Sequence, residues 1–324
     1  MEAIVTVKLS ALVDLANRLK NSTLKTLEGP ARLLHRPRAP RTPDMVGDPL
    51  HPIDVRSKLS REEFVINYLS ANRPVVVTDA MDRWDARHWT LASFERDFGD
   101  CAVTLQAPEF EGGEVSKVRD FIRQVRGYEH LPVELLPAPS EMPNARNLKG
   151  GYGQGFTSTA FERLAKHWER PYFVPVSGYV SPSQLLCLPN YQPHTQFGFY
   201  VSPRGAATSL HVDGGFSNAL LGQIAGEKKV FLFSPDQTPR LPRHHERPPA
   251  HYLRGEQPGF GGEQPMEFTL RPGMMMFIPK YHWHEIYTLS ASISITYTFV
   301  HASDVTRQWV RDISSTSMQQ ADYA

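Results

Sequence analysis

The sequence predicts an α+β fold in which a helical front half leads into a rolled antiparallel β core. Three observations carry that reading. From about residue 196 onward, short strand-like segments follow one another closely. Before that point the periodic segments are short amphipathic helices. Proline is in excess, at 27 of 324 residues, which is about 8 per cent against a usual ~5 per cent and favours loops and strands over long helices. No segment recurs at a fixed period, which excludes a solenoid or propeller.

Met1 to Lys20 places Leu9, Leu12, Val13, Ala16 and Leu19 at helical spacing and reads as a docking helix. It has no secretory apolar core, and Glu2 and Asp14 count against a mitochondrial presequence. Residues 29 to 52 are rich in proline and arginine without apolar periodicity, the composition of an extended connector. At Ser60, the run Ser60-Arg-Glu-Glu63 forms a capping box ahead of Phe64, Val65, Tyr68 and Leu69, so a helix is expected. Pro74 to Thr78 reads as a strand. A helix from about Leu91 to Phe98 is expected to end at Gly99 in a left-handed cap. Val118 to Val125 and Phe161 to Trp168 give two further helices, the second capped by Thr159. Strands are expected at 197–202, 217–224, 229–233, 266–270, 274–278 and 293–300. A last short helix runs from about Asp304 to Ile313. The domain boundaries that follow are 1–59 for the helix and connector, 60–302 for a catalytic domain, and 303–324 for the C-terminal helix and tail.

The formal charge of +1, from 35 basic and 34 acidic residues, supplies no global field toward nucleic acid or a membrane surface, so neither is an expected partner. Two cysteines, Cys101 and Cys187, are too few for a disulfide framework and point to a reducing, cytoplasmic setting. Two elements, the N-terminal amphipathic segment and the 304–313 helix, are candidates for a homodimer contact.

Two segments carry the chemistry: Gly205-Ala-Ala-Thr208-Ser-Leu-His211-Val-Asp213, and Gly273 through Pro279 to His284. On a strand, residues two apart share a face, so His211 and Asp213 project together. His284 joins them from another strand. Two imidazoles and a carboxylate form the facial triad of non-haem Fe(II) oxygenases. His282 shares a strand face with His284 but is left as a packing residue, because the triad is already complete. No H-E-x-x-H run is present, which argues against zinc hydrolysis.

The spacing of glycine before His211, and of glycine and proline before His284, resembles the two motifs of the cupin superfamily. Within it, Thr208 to Asp213, Asn218, and Gln223-Ile-Ala-Gly226-Glu-Lys228 through Pro235 are similar to the Jumonji C, or cupin-like, 2-oxoglutarate oxygenases. Arg73 to Val77, Trp84, Trp89 and Gly99 resemble that family's N-terminal strand and helix. The resemblance covers about residues 60 to 302 and implies a double-stranded β-helix, the cupin jelly-roll core, with helical elaborations. It also implies an Fe(II)-, 2-oxoglutarate- and O2-dependent dioxygenase, with His211, Asp213 and His284 as metal ligands and catalytic centre.

2-Oxoglutarate is a dianion, and its distal carboxylate, once buried, needs a cation. The resemblance places Lys228 and the Thr208 hydroxyl there, Asn218 toward the metal end, and Tyr152 as a further donor. Lys229 is the local rival, turned to the other face by alternation. Two positions depart from the family: Thr298 stands where an asparagine is frequent, and Tyr281 where glycine is preferred. One extra residue also separates Asp213 from Asn218. The basic loop from Thr238 to Pro265 reads as a lid or a solvated insertion.

The expected reaction is hydroxylation of an unactivated C–H of an amino-acid side chain in a peptide or protein. A free small-molecule biosynthetic intermediate is the alternative substrate, and histone demethylation ranks lower. A metal cupin dioxygenase that uses no 2-oxoglutarate would have a histidine at Asp213 and a glutamate soon after it. A non-catalytic cupin-like binding protein would form no succinate.

Overall fold

The computed structural model describes residues 53–105, 114–139, 163–176, 197–213, 217–242 and 250–301. The chain divides into two compact units, one of residues 47–174 and 192–298, the other of 1–46, 175–191 and 299–324. The larger unit holds the site. Of the smaller, only 175–176 and 299–301 are described. The expected N-terminal helix, the connector, Thr159 and the 304–313 helix lie outside the described residues. No described helix is long and apolar enough to cross a membrane.

Two sheets form the core, as the predicted jelly roll requires. The six-stranded sheet runs in the order β1 (Asp54–Arg56), β2 (Val75–Val77), β10 (Met275–Ile278), β7 (Asn218–Ala225), β12 (Ser292–Phe299) and β5 (Phe197–Ser202). The four-stranded sheet runs β6 (Ala207–His211), β11 (Trp283–Thr288), β8 (Lys228–Phe233) and β9 (Met266–Leu270). A separate hairpin pairs β3 (Ala102–Leu105) with β4 (Glu114–Lys117). β1 pairs with β2 in parallel, whereas β2 with β10, β10 with β7, β12 with β5, β6 with β11, and β8 with β11 and β9 pair antiparallel. The sheet begins at β1, because Asp54–Arg56 pairs in register with Val75–Val77.

Alternation sorts each strand into an inner and an outer face. Val76, Leu221, Met276, Val230, Leu232 and Leu270 meet in one apolar core, so these residues define the inner faces of the two sheets. Their neighbours point outward. Phe231, Phe233, Tyr287 and Leu210 form a second core on the outer face of the four-stranded sheet, closed by Phe260. On the outer face of the six-stranded sheet, Phe199 stacks on Phe94 with centroids 5.1 Å apart. Trp89 meets both rings edge-on or tilted.

Phe94 belongs to α2 (Leu91–Phe98), which follows α1 (Arg61–Phe64) and its π-helical continuation Val65–Leu69. The Ser60 capping box is present: Glu63 N donates to Ser60 Oγ, and Ser60 N donates to Glu63 Oε2, each at 3.1 Å. The left-handed cap expected at Gly99 is not. Its φ is −56°, and glycine serves close approach instead, since an added Cβ would strike the Glu95 carbonyl and lie 3.2 Å from Cβ of Arg119 on α3 (Val118–Glu129).

Candidate metal centre

β6 and β11 lie side by side, and His211 stands directly opposite His284. The next partners along the ladder are Thr208 with Ile286 and Ala207 with Tyr287, so three residues of β6 span two of β11. That is a β-bulge. In a regular strand Thr208 and His211 would face opposite ways. The extra residue brings both onto the inner face, while Leu210 and Ala207 pack outward.

Each imidazole is oriented by backbone. His211 Nδ1 lies 2.8 Å from the Ser209 carbonyl oxygen, and His284 Nδ1 lies 3.1 Å from that of His282. A carbonyl only accepts, so each Nδ1 carries the proton and each Nε2 presents its lone pair. Both lone pairs meet Asp213. Its Oδ1 lies 3.7 Å from His211 Nε2 and 3.9 Å from His284 Nε2. These separations are too long for hydrogen bonds and leave room between the atoms for a cation. Ligand atoms of the three residues lie within 4.8 Å of one another, the one such group of His, Cys, Asp and Glu among the described residues.

Burial pushes the His284 imidazole down to about 4, and the neighbouring His211 adds to that against the opposing charge of Asp213. A neutral imidazole is the form that binds a metal. Two nitrogens and one oxygen, without sulfur, suit non-haem Fe(II). His282 is also held down to about 4, chiefly by burial. Its Nδ1 lies 3.3 Å from the Lys280 carbonyl oxygen, in the turn before β11.

Lys228 is 6% exposed and shares the inner face of β8 with Val230 and Leu232. It stands opposite Thr288, four residues along from the His284 rung, where Leu232 sits, or about 13 Å of strand. Desolvation alone lowers its ammonium to about 8. Lys229 turns outward, ion-paired with Glu267 at 2.7 Å and lying 5.4 Å above the Phe231 ring.

Asn218, which the resemblance places toward the metal end, stands at the start of β7. Ala219 packs into the inner core, so alternation turns Asn218 to the other face. There its Oδ1 accepts the Lys280 amide at 3.1 Å and fastens the turn that leads to His284. Tyr152 lies outside the described residues. Tyr281, where the family prefers glycine, has a φ of +63°, the left-handed conformation that glycine adopts most easily.

Sequence reasoning passed over the inner faces of β5 and β12. Phe199, Val201, Ile293 and Ile295 point outward, leaving Tyr200 and Ser202 inward opposite Ser294 and Ser292. The alternation of large apolar with polar residues in Phe197–Ser202 was the available signal. Exposure falls along the inner face of β12 from the half-buried Thr298 and Thr296 to the fully buried Ser294 and Ser292.

A family model described as a cupin-like domain matches residues 60–305. The chain is 27% identical over 272 residues to the 2-oxoglutarate and iron-dependent oxygenase JMJD4 of Gallus gallus, covering 79% of this chain and 62% of that protein. It is 24% identical over 260 residues to the arginine-specific demethylase JMJ22 of Arabidopsis thaliana, covering 76% of this chain and 46% of the relative. JmjC domain-containing protein 8 of Homo sapiens is 28% identical over 249 residues, covering 75% of this chain and 82% of that one. The chain thus spans about half to three fifths of the first two relatives.

Proposed function

This chain belongs to the cupin-like domain family, and from that premise and the site geometry we propose that it is an Fe(II)- and 2-oxoglutarate-dependent oxygenase. Its proposed reaction is hydroxylation of an unactivated C–H of an amino-acid side chain in a peptide or protein. One observation carries the reading: both Nδ1 protons are committed to backbone carbonyls, so both Nε2 lone pairs converge on Asp213 Oδ1.

In this reading His211, Asp213 and His284 hold the iron. With 2-oxoglutarate and O2, the iron supplies an oxidation in which the keto acid becomes succinate and carbon dioxide and one oxygen atom enters the substrate. The protein's own part is to bind, orient and exclude water. The two histidines occupy neighbouring strands with Asp213 just past the end of β6, and each imidazole is held by its own backbone, so the donors are arranged before any ion arrives. Lys228 meets the distal carboxylate of the dianion, offsetting the cost of burying both charges. Thr208, brought to the same face by the bulge, donates a second hydrogen bond. The apolar residues between the sheets keep water from the closed end.

Relatives named for arginine demethylation and for 2-oxoglutarate- and iron-dependent oxygenation support a protein or peptide substrate. Oxidation of an N-methyl carbon would release that carbon as an aldehyde. Mass spectrometry of candidate peptides therefore separates the two outcomes: gain of one oxygen, or loss of a methyl carbon. The test of the centre is Asp213→Ala, which should abolish iron-dependent conversion of 2-oxoglutarate to succinate. Turnover at the wild-type rate in that variant would sink the assignment.

A further inference from the structure

Helix α3 ends on a carboxylate, Glu129. The unpaired carbonyls at that end of a helix disfavour negative charge, so helix formation alone does not account for it. Its Oε1 accepts the amide of Ala291, in the turn between β11 and β12. Just beyond the helix, the Leu131 carbonyl accepts from Arg204 Nη1 at 2.9 Å, in the turn between β5 and β6. The end of α3 is thus fastened to two turns of the sheets.

The first of those turns holds the residues that precede Lys228. Leu289 N donates to the Glu227 carbonyl at 2.8 Å, and Glu227 N donates to Ser290 Oγ at 2.9 Å. Both backbone groups of Glu227 are therefore bonded to one turn. Gly226 lies against it as well, since an added Cβ would strike the Ala291 carbonyl and lie 3.0 Å from Ser292 Cα. Thr288 stands opposite Lys228, and its own amide donates to the Ala206 carbonyl at 2.8 Å. The backbone that carries Lys228 is located by residues 288–291, and Glu129 secures residue 291 from outside the two sheets.

A buried ion pair offsets its desolvation only when its geometry is good, and a lysine is a compact charge on a flexible stem. Where the ammonium sits therefore depends on where its backbone starts. We propose that Glu129 is a positioning residue for 2-oxoglutarate: through the Ala291 amide it fixes the 289–291 turn, and through Glu227 that turn aims Lys228 at the distal carboxylate. The inference rests on reading Lys228 as the partner of that carboxylate. The effect is confined to the distal arm, because the His284 rung lies four residues along β11 from the Thr288 rung. Arg204 still grips the neighbouring turn when Glu129 is removed, so the turn loosens while the fold remains.

The experiment is anaerobic titration of the Fe(II)-loaded full chain with two keto acids, following the visible charge-transfer band of the chelate. One is 2-oxoglutarate. The other is 2-oxopentanoate, which has the same chelating end and a methyl group in place of the distal carboxylate. Glu129→Ala should bind Fe(II) and 2-oxopentanoate as wild type does, and bind 2-oxoglutarate about tenfold more weakly. Glu129→Gln keeps an acceptor oxygen and should restore the affinity. Ser290→Ala removes the acceptor of the Glu227 amide and should weaken 2-oxoglutarate in the same selective way. The proposal is overturned by unchanged 2-oxoglutarate affinity in Glu129→Ala or Ser290→Ala, by equal weakening of both keto acids, by loss of Fe(II) binding, or by failure of Glu129→Gln to restore affinity. If wild type binds the two keto acids equally well, Lys228 does not meet the distal carboxylate, and the reading on which the proposal rests is what has failed.

Discussion

His211 and His284 face one another across the β6–β11 ladder with ring centroids 4.2 Å apart and planes inclined at 54°. Directly opposed residues are the closest contacts a sheet offers, so two strands place two ligands at once. The same ladder carries the bulge that turns Thr208 inward. Deleting Ser209 should restore regular alternation and leave either His211 or Thr208 facing inward, but not both. The expected result is loss of Fe(II) binding, or retained Fe(II) binding with weakened 2-oxoglutarate binding. A deletion variant that binds both as wild type does would show that the bulge is not what sets the two side chains.

Acid stability follows from the two buried histidines of the second motif. His284 and His282 are each held down to about 4 from an ordinary value of 6.5, burial being the main cause. Between those values the unfolded chain takes up protons that the folded chain refuses. Stability should therefore be full above about pH 6.5 and fall as pH drops toward 4. Thermal melts of the metal-free protein across that range test it, and His284→Ala should flatten the slope. Mn(II) as a redox-silent probe should raise the wild-type melting temperature at pH 7 and leave His284→Ala unmoved.

Lys228 sets function against stability. Its ammonium falls from 10.5 to about 8 through desolvation, so below pH 8 the folded protein bears a cost on the order of 3 kcal/mol. The sign is fixed by the direction of the shift. The unfolded chain is protonated below 10.5 and the folded chain only below about 8, so stability should rise as pH climbs between them. Lys228→Met should raise the melting temperature at pH 7, remove that alkaline gain and abolish 2-oxoglutarate binding. In wild type, affinity for the dianion should decline above pH 8, by about tenfold per unit once the amine is neutral. A stabilised Lys228→Met protein that still binds 2-oxoglutarate would place the distal carboxylate elsewhere.

The parts legible in the sequence were those that depend on one strand at a time. Alternation separates Lys228 from Lys229 without any knowledge of pairing, and the two-residue spacing keeps Asp213 close to His211, just past the end of β6. The Ser60 capping box is equally local. The less legible parts depend on which strands pair and in what register. Thr208 shares a face with His211 only through a bulge defined against β11. Asn218 could be assigned a face only once Ala219 was seen packed in the core opposite Ile278. β1 was invisible because Asp54–Arg56 is a three-residue strand with no alternation to betray it, and it exists by pairing with Val75–Val77. Gly99 was correctly read as a helix stop but for the wrong reason, since the approach of α3 is a tertiary fact.

Gln223 offers a test of how the closed end is held. It is fully buried on the inner face of β7, and its carboxamide closes a small network. Nε2 donates to the Ala225 carbonyl at 2.7 Å and the Gly226 carbonyl at 3.0 Å, while Oε1 accepts from Ser294 Oγ at 2.9 Å. The two carbonyls belong to the turn that delivers Lys228. Gly226 in that turn has a φ of +71°, and an added Cβ would strike the Ala291 carbonyl. Gln223→Leu keeps the volume roughly constant but strands one buried hydroxyl and two carbonyls. Each orphaned group costs about 1–3 kcal/mol, partly relieved by relaxation of the turn, so a loss of roughly 3 kcal/mol is expected. Urea unfolding should show a lower midpoint with an unchanged slope. 2-Oxoglutarate binding should weaken while Fe(II) binding stays, because the network supports the strand end that carries Lys228 and lies away from His211, Asp213 and His284. Equal losses of metal and co-substrate binding would mean that Gln223 supports the whole sheet.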